Sequence, residues 1–429
     1  MHCISTRGRA ATTGIDAALL AGLAPDGGLY VPATLPRLAL DRPGATLADT
    51  ACAVLTPYFA DSRLASLLPR ICTDAFAFAA PLRALRGEHD YLLELFHGPT
   101  VAFKDYAARF LAGALSVLRA PNAPITTILV ATSGDTGAAV AAAFHRRAGF
   151  KVVILYPDGR VSPRQAHGLG CWGDNVRCLR VAGTFDDCQH LVKQALADAE
   201  LRARWALSSA NSISLGRLLP QIGYYAQAAL EFHARHDMPL NFIIPTGNLG
   251  NACAAVLGRR MGLPIGRIVL ATNANDVLPR YFAGADYTPR ATLATLANAM
   301  DVGAPSNFER LRHFHRDDDE LRDAVSAQAV DDATIRDTIR RAPQQHDIVP
   351  CPHTATALHV LATLRAQGES APFAVVATAH PAKFETIVEP LIGHPVEVPA
   401  ALAESLARPA NAEPMPADFD ALRQRLLQA

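Results

Sequence analysis

Two stretches of this chain repeat one local plan, and that plan constrains the fold more than any other feature. Ala131-Thr132-Ser133-Gly134-Asp135-Thr136-Gly137 follows the aliphatic run Ile125 to Val130 and opens the alanine-rich helical pattern Ala138 to Arg147. Pro245-Thr246-Gly247-Asn248-Leu249-Gly250-Asn251 follows Leu240 to Ile244 and opens a second helix at Ala252. Each is a strand, a glycine-rich turn and a helix N-terminus. Such turns present backbone N–H groups at the positive end of a helix dipole, which suits a phosphate or a carboxylate. Neither turn reads Gly-x-Gly-x-x-Gly, which disfavours a dinucleotide-binding oxidoreductase. The same alternation continues elsewhere. Strand-like runs at Tyr91–Phe96, Lys151–Leu155, Val176–Val181, Arg267–Ala271 and Phe373–Thr378 are separated by helical patterns such as Asp186–Ala199 and Leu215–Phe232. Strands alternating with helices imply parallel sheets covered by helices, an α/β fold.

A third segment carries chemistry. His97-Gly98-Pro99-Thr100-Val101-Ala102-Phe103-Lys104-Asp105 places one lysine in an apolar turn bounded by glycine and proline. A lysine that attacks an aldehyde must be neutral, and desolvation by Val101, Ala102 and Phe103 lowers its pKa in that direction. This is the environment of a Schiff-base lysine. For a lysine taken alone, snorkelling at a helix start is the ordinary reading. Two anion-binding turns together with a desolvated lysine form a constellation that this reading does not explain.

The rest of the composition narrows the class. A chain of 429 residues, 50% hydrophobic, supports a large core in two or three subdomains. The formal net charge is zero and no basic stripe is present, so nucleic acid is not an expected partner. The eight cysteines are scattered without a Cys-x-x-Cys, as in a reducing compartment. With no signal pattern and no apolar run of membrane-spanning length, a soluble cytoplasmic enzyme is expected. Residues 1–90 read as a helical region broken by turns at Pro25-Asp26-Gly27-Gly28, Pro36 and Pro43-Gly44. A smaller lobe is expected at about 108–207, with the larger lobe made from the remainder of 91–429. The tail after Pro409 is rich in proline and alanine and ends in the amphipathic stretch Phe419–Leu427. His313 and His315 beside Asp317-Asp318-Asp319 read as a solvated charged loop, and no metal site is expected. Trp172 and Trp205 read as core. His380 either touches the site or orders the turn at Pro381.

The motifs, taken in order, resemble the threonine synthases of the longer bacterial and fungal type, within the fold type II pyridoxal-phosphate enzymes. The resemblance runs nearly end to end. It includes Ile4-Ser5-Thr6-Arg7-Gly8, Ala24 to Pro32, Glu94 to Lys104, Thr132 to Gly137, Ser209 to Ile213, Ala271 to Asp276, Asn298 to Val302 and Thr378 to Phe384. It implies a two-lobed fold like the tryptophan synthase β chain, with parallel-sheet lobes, a helical N-terminal region and pyridoxal 5'-phosphate as cofactor. It implies that Lys104 holds the cofactor covalently and then serves as the base. Gly247, Asn248, Leu249, Gly250 and Asn251 would wrap the cofactor phosphate, and the Thr378 hydroxyl would face the pyridine nitrogen. Ser133, Gly134, Asp135, Thr136 and Gly137 would take the substrate α-carboxylate through N–H groups and hydroxyls, the Asp135 side chain capping the helix instead. Asn211, Ser212 and Arg217 would hold the substrate phosphate.

The implied reaction converts O-phospho-L-homoserine and water into L-threonine and phosphate. Three positions depart from the family pattern: Leu249 for Phe, Asn251 for Asp, and Ser214 for the Asn that usually precedes the arginine. They motivate a first alternative, a paralogous lyase or replacement enzyme with a different β- or γ-leaving group. A second alternative, a non-catalytic binder of phosphometabolites, is opposed by the intact Lys104. Monomer and homodimer are not distinguished.

Overall fold

The computed structural model describes residues 1–204 and 206–427, which leaves Trp205 outside the described residues. Two sheets organise the chain. The larger has the strand order Val325–Ala329, Ile265–Thr272, Leu240–Pro245, Phe373–Ala377, Asp90–Glu94 and Leu82–Ala84. Its pairings are parallel except that of Leu82–Ala84, which runs antiparallel to Asp90–Glu94. The smaller is parallel throughout, in the order Glu413–Pro416, Val176–Ala182, Phe150–Pro157, Thr126–Ala131 and Ala206–Ser209.

Parallel strands require long crossovers, and here helices supply them. The helix Asp135–Phe144, for example, joins two neighbouring strands of the smaller sheet. Helices then cover both faces, so successive residues of one strand enter different cores. Phe242 and Ile244 pack with Tyr58, Phe110 and Tyr225 on one face of the larger sheet, while Ile243 packs with Ile335, Leu358 and Val375 on the other. In the smaller sheet Ile128 and Val130 face Phe144 and Phe150, and Leu129 faces Leu155 and Leu191.

Several expectations need correction. The region 1–90 is not purely helical: His2–Ser5, Thr13–Gly14 and Tyr30–Pro32 pair as a small antiparallel sheet. Strands of two to four residues are too short to show a period-2 pattern. The smaller sheet also reaches beyond 108–207. The proline-rich tail contributes the edge strand Glu413–Pro416, and Leu422 and Leu426 of the final helix pack on Leu179 and Leu191. Proline cannot donate to a ladder but is tolerated on an edge strand, which hides this strand from a sequence reading. The expected helix Leu215–Phe232 is broken by a 3₁₀ turn, Leu219–Gln221, at Pro220 before it resumes as Ile222–His236. Trp172 is half-buried, its indole N–H donating to the Gly168 carbonyl at 2.9 Å. His315 is buried, with Nδ1 at 2.7 Å from the Leu311 carbonyl, so only His313 of that pair stands in solvent.

Candidate active site

The strands Thr126–Ala131, Leu240–Pro245 and Phe373–Ala377 all end at one cleft, the usual place for a ligand in parallel sheets. The cleft holds a cavity of about 520 Å³. Its lining includes every site residue expected from the sequence except Gly134 and Gly137.

Lys104 is fixed by its own segment. Phe103 N–H donates to the Thr378 carbonyl at 2.9 Å and His380 N–H to the Val101 carbonyl at 3.0 Å, around an antiparallel bridge of Ala102 to Ala379. Val101 sits at φ 48°, a left-handed conformation that strains a β-branched residue. Asp105 anchors the turn by accepting from the Thr100 N–H at 2.8 Å and its hydroxyl at 2.7 Å. The helix Lys104–Leu118 begins at the lysine, whose Nζ lies 4.7 Å from the Phe103 ring centroid and 3.7 Å from Asp135 Oδ2. Burial pushes the Lys104 amine below its ordinary pKa against the opposing pull of Asp135.

Asp135 does not cap its helix, contrary to expectation. Its Oδ1 meets Lys383 Nζ at 2.6 Å, and Gly134 at the N-cap provides no side chain. Burial alone would raise the Asp135 pKa, but Lys383 and Lys104 outweigh it and hold the carboxyl well below its usual range. The Thr132 hydroxyl accepts from both Gly134 and Gly137 N–H, at 3.0 and 2.9 Å. Those two N–H groups are therefore spent inside the turn. Ligand contact falls to Ser133, Thr136 and the free N–H groups of the first helical turn.

The second turn is built for close approach. A Cβ on Gly247 would lie 2.7 Å from the Met300 Cα, so only glycine fits. Leu249 takes φ 64° and precedes the helix Gly250–Arg260, which has no side-chain cap. Its side chain is buried in the core, so the leucine departure is a packing change. Asn251 accepts from the hydroxyls of Tyr224 and Tyr225 at 2.9 and 2.7 Å, and its Nδ2 is buried without a partner.

Across the cleft lies Arg217, 3% exposed. Its Nη1 donates to the Ala210 carbonyl at 2.6 Å, yet Nε has no partner, and among the described residues no carboxylate pairs with it. Burial lowers its pKa to about 10. Asn211 Oδ1 beside it is also buried without a partner, and Asn248 donates to the Ser212 hydroxyl at 2.7 Å. A buried guanidinium without a counter-charge is costly unless an anion completes it. Ser214 does not line the cavity. Its hydroxyl caps the short helix Leu215–Leu218 by accepting from Gly216 N–H at 3.2 Å. Ser214→Ala is therefore expected to cost about 1 kcal/mol of stability in a thermal melt, with little change in substrate KM.

Two residues at this site were not singled out from the sequence. Lys383 lay inside a quoted motif but far along the chain from Asp135. His353, a buried residue of the cleft wall, accepts from Ala299 N–H through Nε2 at 3.1 Å, and burial lowers its pKa to about 4. No local pattern marks either. His380 orders the turn at Pro381: its Nδ1 accepts from Ala382 N–H at 3.2 Å, and it does not line the cavity. Among the described residues no cluster of histidine, cysteine, aspartate or glutamate suits a metal ion, and no helix is long and apolar enough to cross a membrane.

Comparison with known proteins identifies the family. Residues 80–382 match the family described as pyridoxal-phosphate dependent enzyme, residues 2–76 the threonine synthase N terminus, and residues 354–425 the threonine synthase C-terminal region. The chain is 40% identical to threonine synthase of Escherichia coli, covering 96% of this chain and 95% of that protein. Among solved structures it is similar to the Escherichia coli threonine synthase, with a TM-score of 0.92 at 37% identity over 100% of both chains. It is also similar to a threonine synthase of Brucella melitensis solved with pyridoxal phosphate bound, with a TM-score of 0.91 at 35% identity over 100% and 99% of the two chains.

Proposed function

This chain belongs to the threonine synthase family of pyridoxal-phosphate enzymes, and we propose that it converts O-phospho-L-homoserine and water into L-threonine and phosphate in the cleft around Lys104. One observation supports this substrate over an uncharged leaving group: Arg217 is buried, has no ion-paired carboxylate among the described residues and keeps an unpartnered Nε. A phosphate dianion supplies the missing charge and acceptors.

The residues present fit pyridoxal phosphate. The uncapped helix at Gly250 and the unpartnered Asn251 Nδ2 offer donors for its phosphate, and the desolvated Lys104 offers the amine for its aldehyde. The Thr378 hydroxyl, at the end of its strand, is assigned to the pyridine nitrogen. Once bound, the cofactor draws electrons from the amino-bearing carbon of the substrate and so acidifies its neighbours.

The chain's own groups do the rest. Lys104 takes the proton from Cα, and proton removal at Cβ accompanies departure of the γ-phosphate. A proton returned at Cγ leaves Cβ open to water, whose oxygen bonds to Cβ as it gives up a proton, and a proton returned at Cα by Lys104 completes threonine. Asn211, Ser212 and Arg217 hold the departing phosphate. Ser133, Thr136 and the free N–H groups of the first helical turn, that of Asp135 included, orient the α-carboxylate. The eight cysteines are free thiols, consistent with a reducing cytoplasmic setting. Steady-state kinetics with O-phosphohomoserine, O-phosphoserine and O-acetylhomoserine test the substrate. A clear preference for O-phosphohomoserine is expected, and indifference to it would hand the site to the paralogue reading. Thr378→Asp tests the nitrogen contact. It is expected to change the bound cofactor's absorbance spectrum and the ratio of threonine to side products, and no change in either would remove Thr378 from that role.

A further inference from the structure

We propose that Lys383 is a positioning residue that occupies the Asp135 carboxylate and thereby keeps the Lys104 amine free to react. Two lysines face one aspartate at the wall of the cleft, where the Lys104 side chain is 15% exposed, Lys383 4% and Asp135 3%. Lys383 Nζ is 2.6 Å from Asp135 Oδ1, whereas Lys104 Nζ is 3.7 Å from Oδ2. Lys383 Nζ also donates to the Thr100 carbonyl at 2.9 Å, an acceptor that has no counterpart at Lys104 among the described residues. An ammonium needs acceptors for its protons, and a buried charge needs a counter-charge. Among the described residues Asp135 is the carboxylate that both amines approach within 4 Å, so with one lysine protonated this trio is neutral and therefore favoured. Lys383 holds the better acceptors, so it carries the proton and Lys104 does not.

The surroundings fix this choice. Lys383 belongs to the 3₁₀ turn Pro381–Phe384, whose carbonyls are gripped by the smaller lobe. The Ser162 hydroxyl donates to the Lys383 carbonyl at 2.5 Å, and Arg164 donates to the Ala382 carbonyl at 2.8 Å. These two bonds hold the backbone of the turn, and the Thr100 carbonyl and the Asp135 carboxylate hold the Lys383 ammonium itself. The other charged or titratable groups facing the cluster do not compete for Asp135. His353 already uses Nε2 as an acceptor and so is neutral, Arg217 points its bound Nη1 at Ala210, and Asp105 is saturated by Thr100. The low pKa of Lys104 follows the same pattern, with burial first and Lys383 and Arg217 adding to it.

The inference rests on Lys104 as the reacting amine, and its test is separate from that reading. In the full chain freed of cofactor, competitive acetylation followed by peptide mapping measures the pH at which Lys104 is half reactive. In Lys383→Met the carboxylate turns to Lys104 and holds a proton there, so the half-reaction pH is expected to rise by about one unit or more. The kcat/KM–pH profile of the loaded enzyme should move in parallel, with activity at neutral pH down about tenfold and recovering at higher pH. Lys383→Arg keeps the charge and should restore the wild-type profile. The double variant Lys383→Met with Asp135→Asn removes both charges and should return the half-reaction pH to the wild-type value or below. The double variant also serves if Lys383→Met fails to fold, because a fully removed pair is tolerated better than a broken one. An unchanged or lowered half-reaction pH in Lys383→Met, or a raised one in the double variant, overturns the proposal. Failure of Lys104 itself to label, or labelling of another lysine by borohydride trapping of the cofactor, would instead overturn the assignment on which it rests.

Discussion

Replacing Lys104 by alanine is expected to lower turnover by at least about 10⁴-fold while leaving the fold intact. General acid–base catalysis by a positioned group is worth roughly 10²–10⁴-fold alone, and this residue also anchors the cofactor. The structural cost is small because among the described residues Lys104 Nζ makes no close hydrogen bond, and the carboxylate 3.7 Å away keeps Lys383 as a partner. The purified wild type should be yellow, and borohydride should bleach the colour and leave the reduced adduct on Lys104 in a peptide map. Unchanged circular dichroism with lost colour and lost activity is the expected signature of Lys104→Ala. An adduct on any other lysine would sink the assignment.

Arg217→Ala should be the second most damaging change. Truncating one partner of a buried charge pair costs roughly 2–5 kcal/mol. Read in kcat/KM, that is about 30- to several-thousand-fold at roughly 1.4 kcal/mol per decade. Inorganic phosphate should lose its power to inhibit in the same variant. Because Nη1 holds the Ala210 carbonyl, some loss of stability is also expected, so activity is to be compared at a temperature where both proteins are folded. Near-normal activity of Arg217→Ala on O-phosphohomoserine would show that another group binds the phosphate. Ser214 supplies the contrast: it lies three positions before Arg217 in sequence, yet its hydroxyl caps a helix and faces away from the cleft.

The contrast between those two residues shows where sequence reading works. The strands Leu240–Pro245 and Phe373–Ala377 were legible because buried parallel strands are continuous apolar runs bounded by turn residues. The glycine turns and the motif around Lys104 were legible because backbone sterics act within a few residues. The strand Glu413–Pro416 was not, since its prolines suit an edge position that only the neighbouring strand Val176–Ala182 creates. The role of Asp135 was misjudged for a similar reason. An aspartate at a helix start caps by default, and the partner that draws it away is supplied from the far end of the chain.

The sequence by itself therefore determined the α/β class, the turns able to receive anions and the lysine able to react. Each follows from local periodicity, turn sterics or the apolarity of immediate neighbours. Only the tertiary structure decided how these parts are charged and paired. Lys383 meets the Thr100 carbonyl across 283 positions of chain and takes the Asp135 carboxylate, while the smaller lobe locks its turn. Which of two lysines keeps a proton in a buried site depends on distances of a few ångströms between distant segments, because Coulomb energy and desolvation act through space and not along the chain.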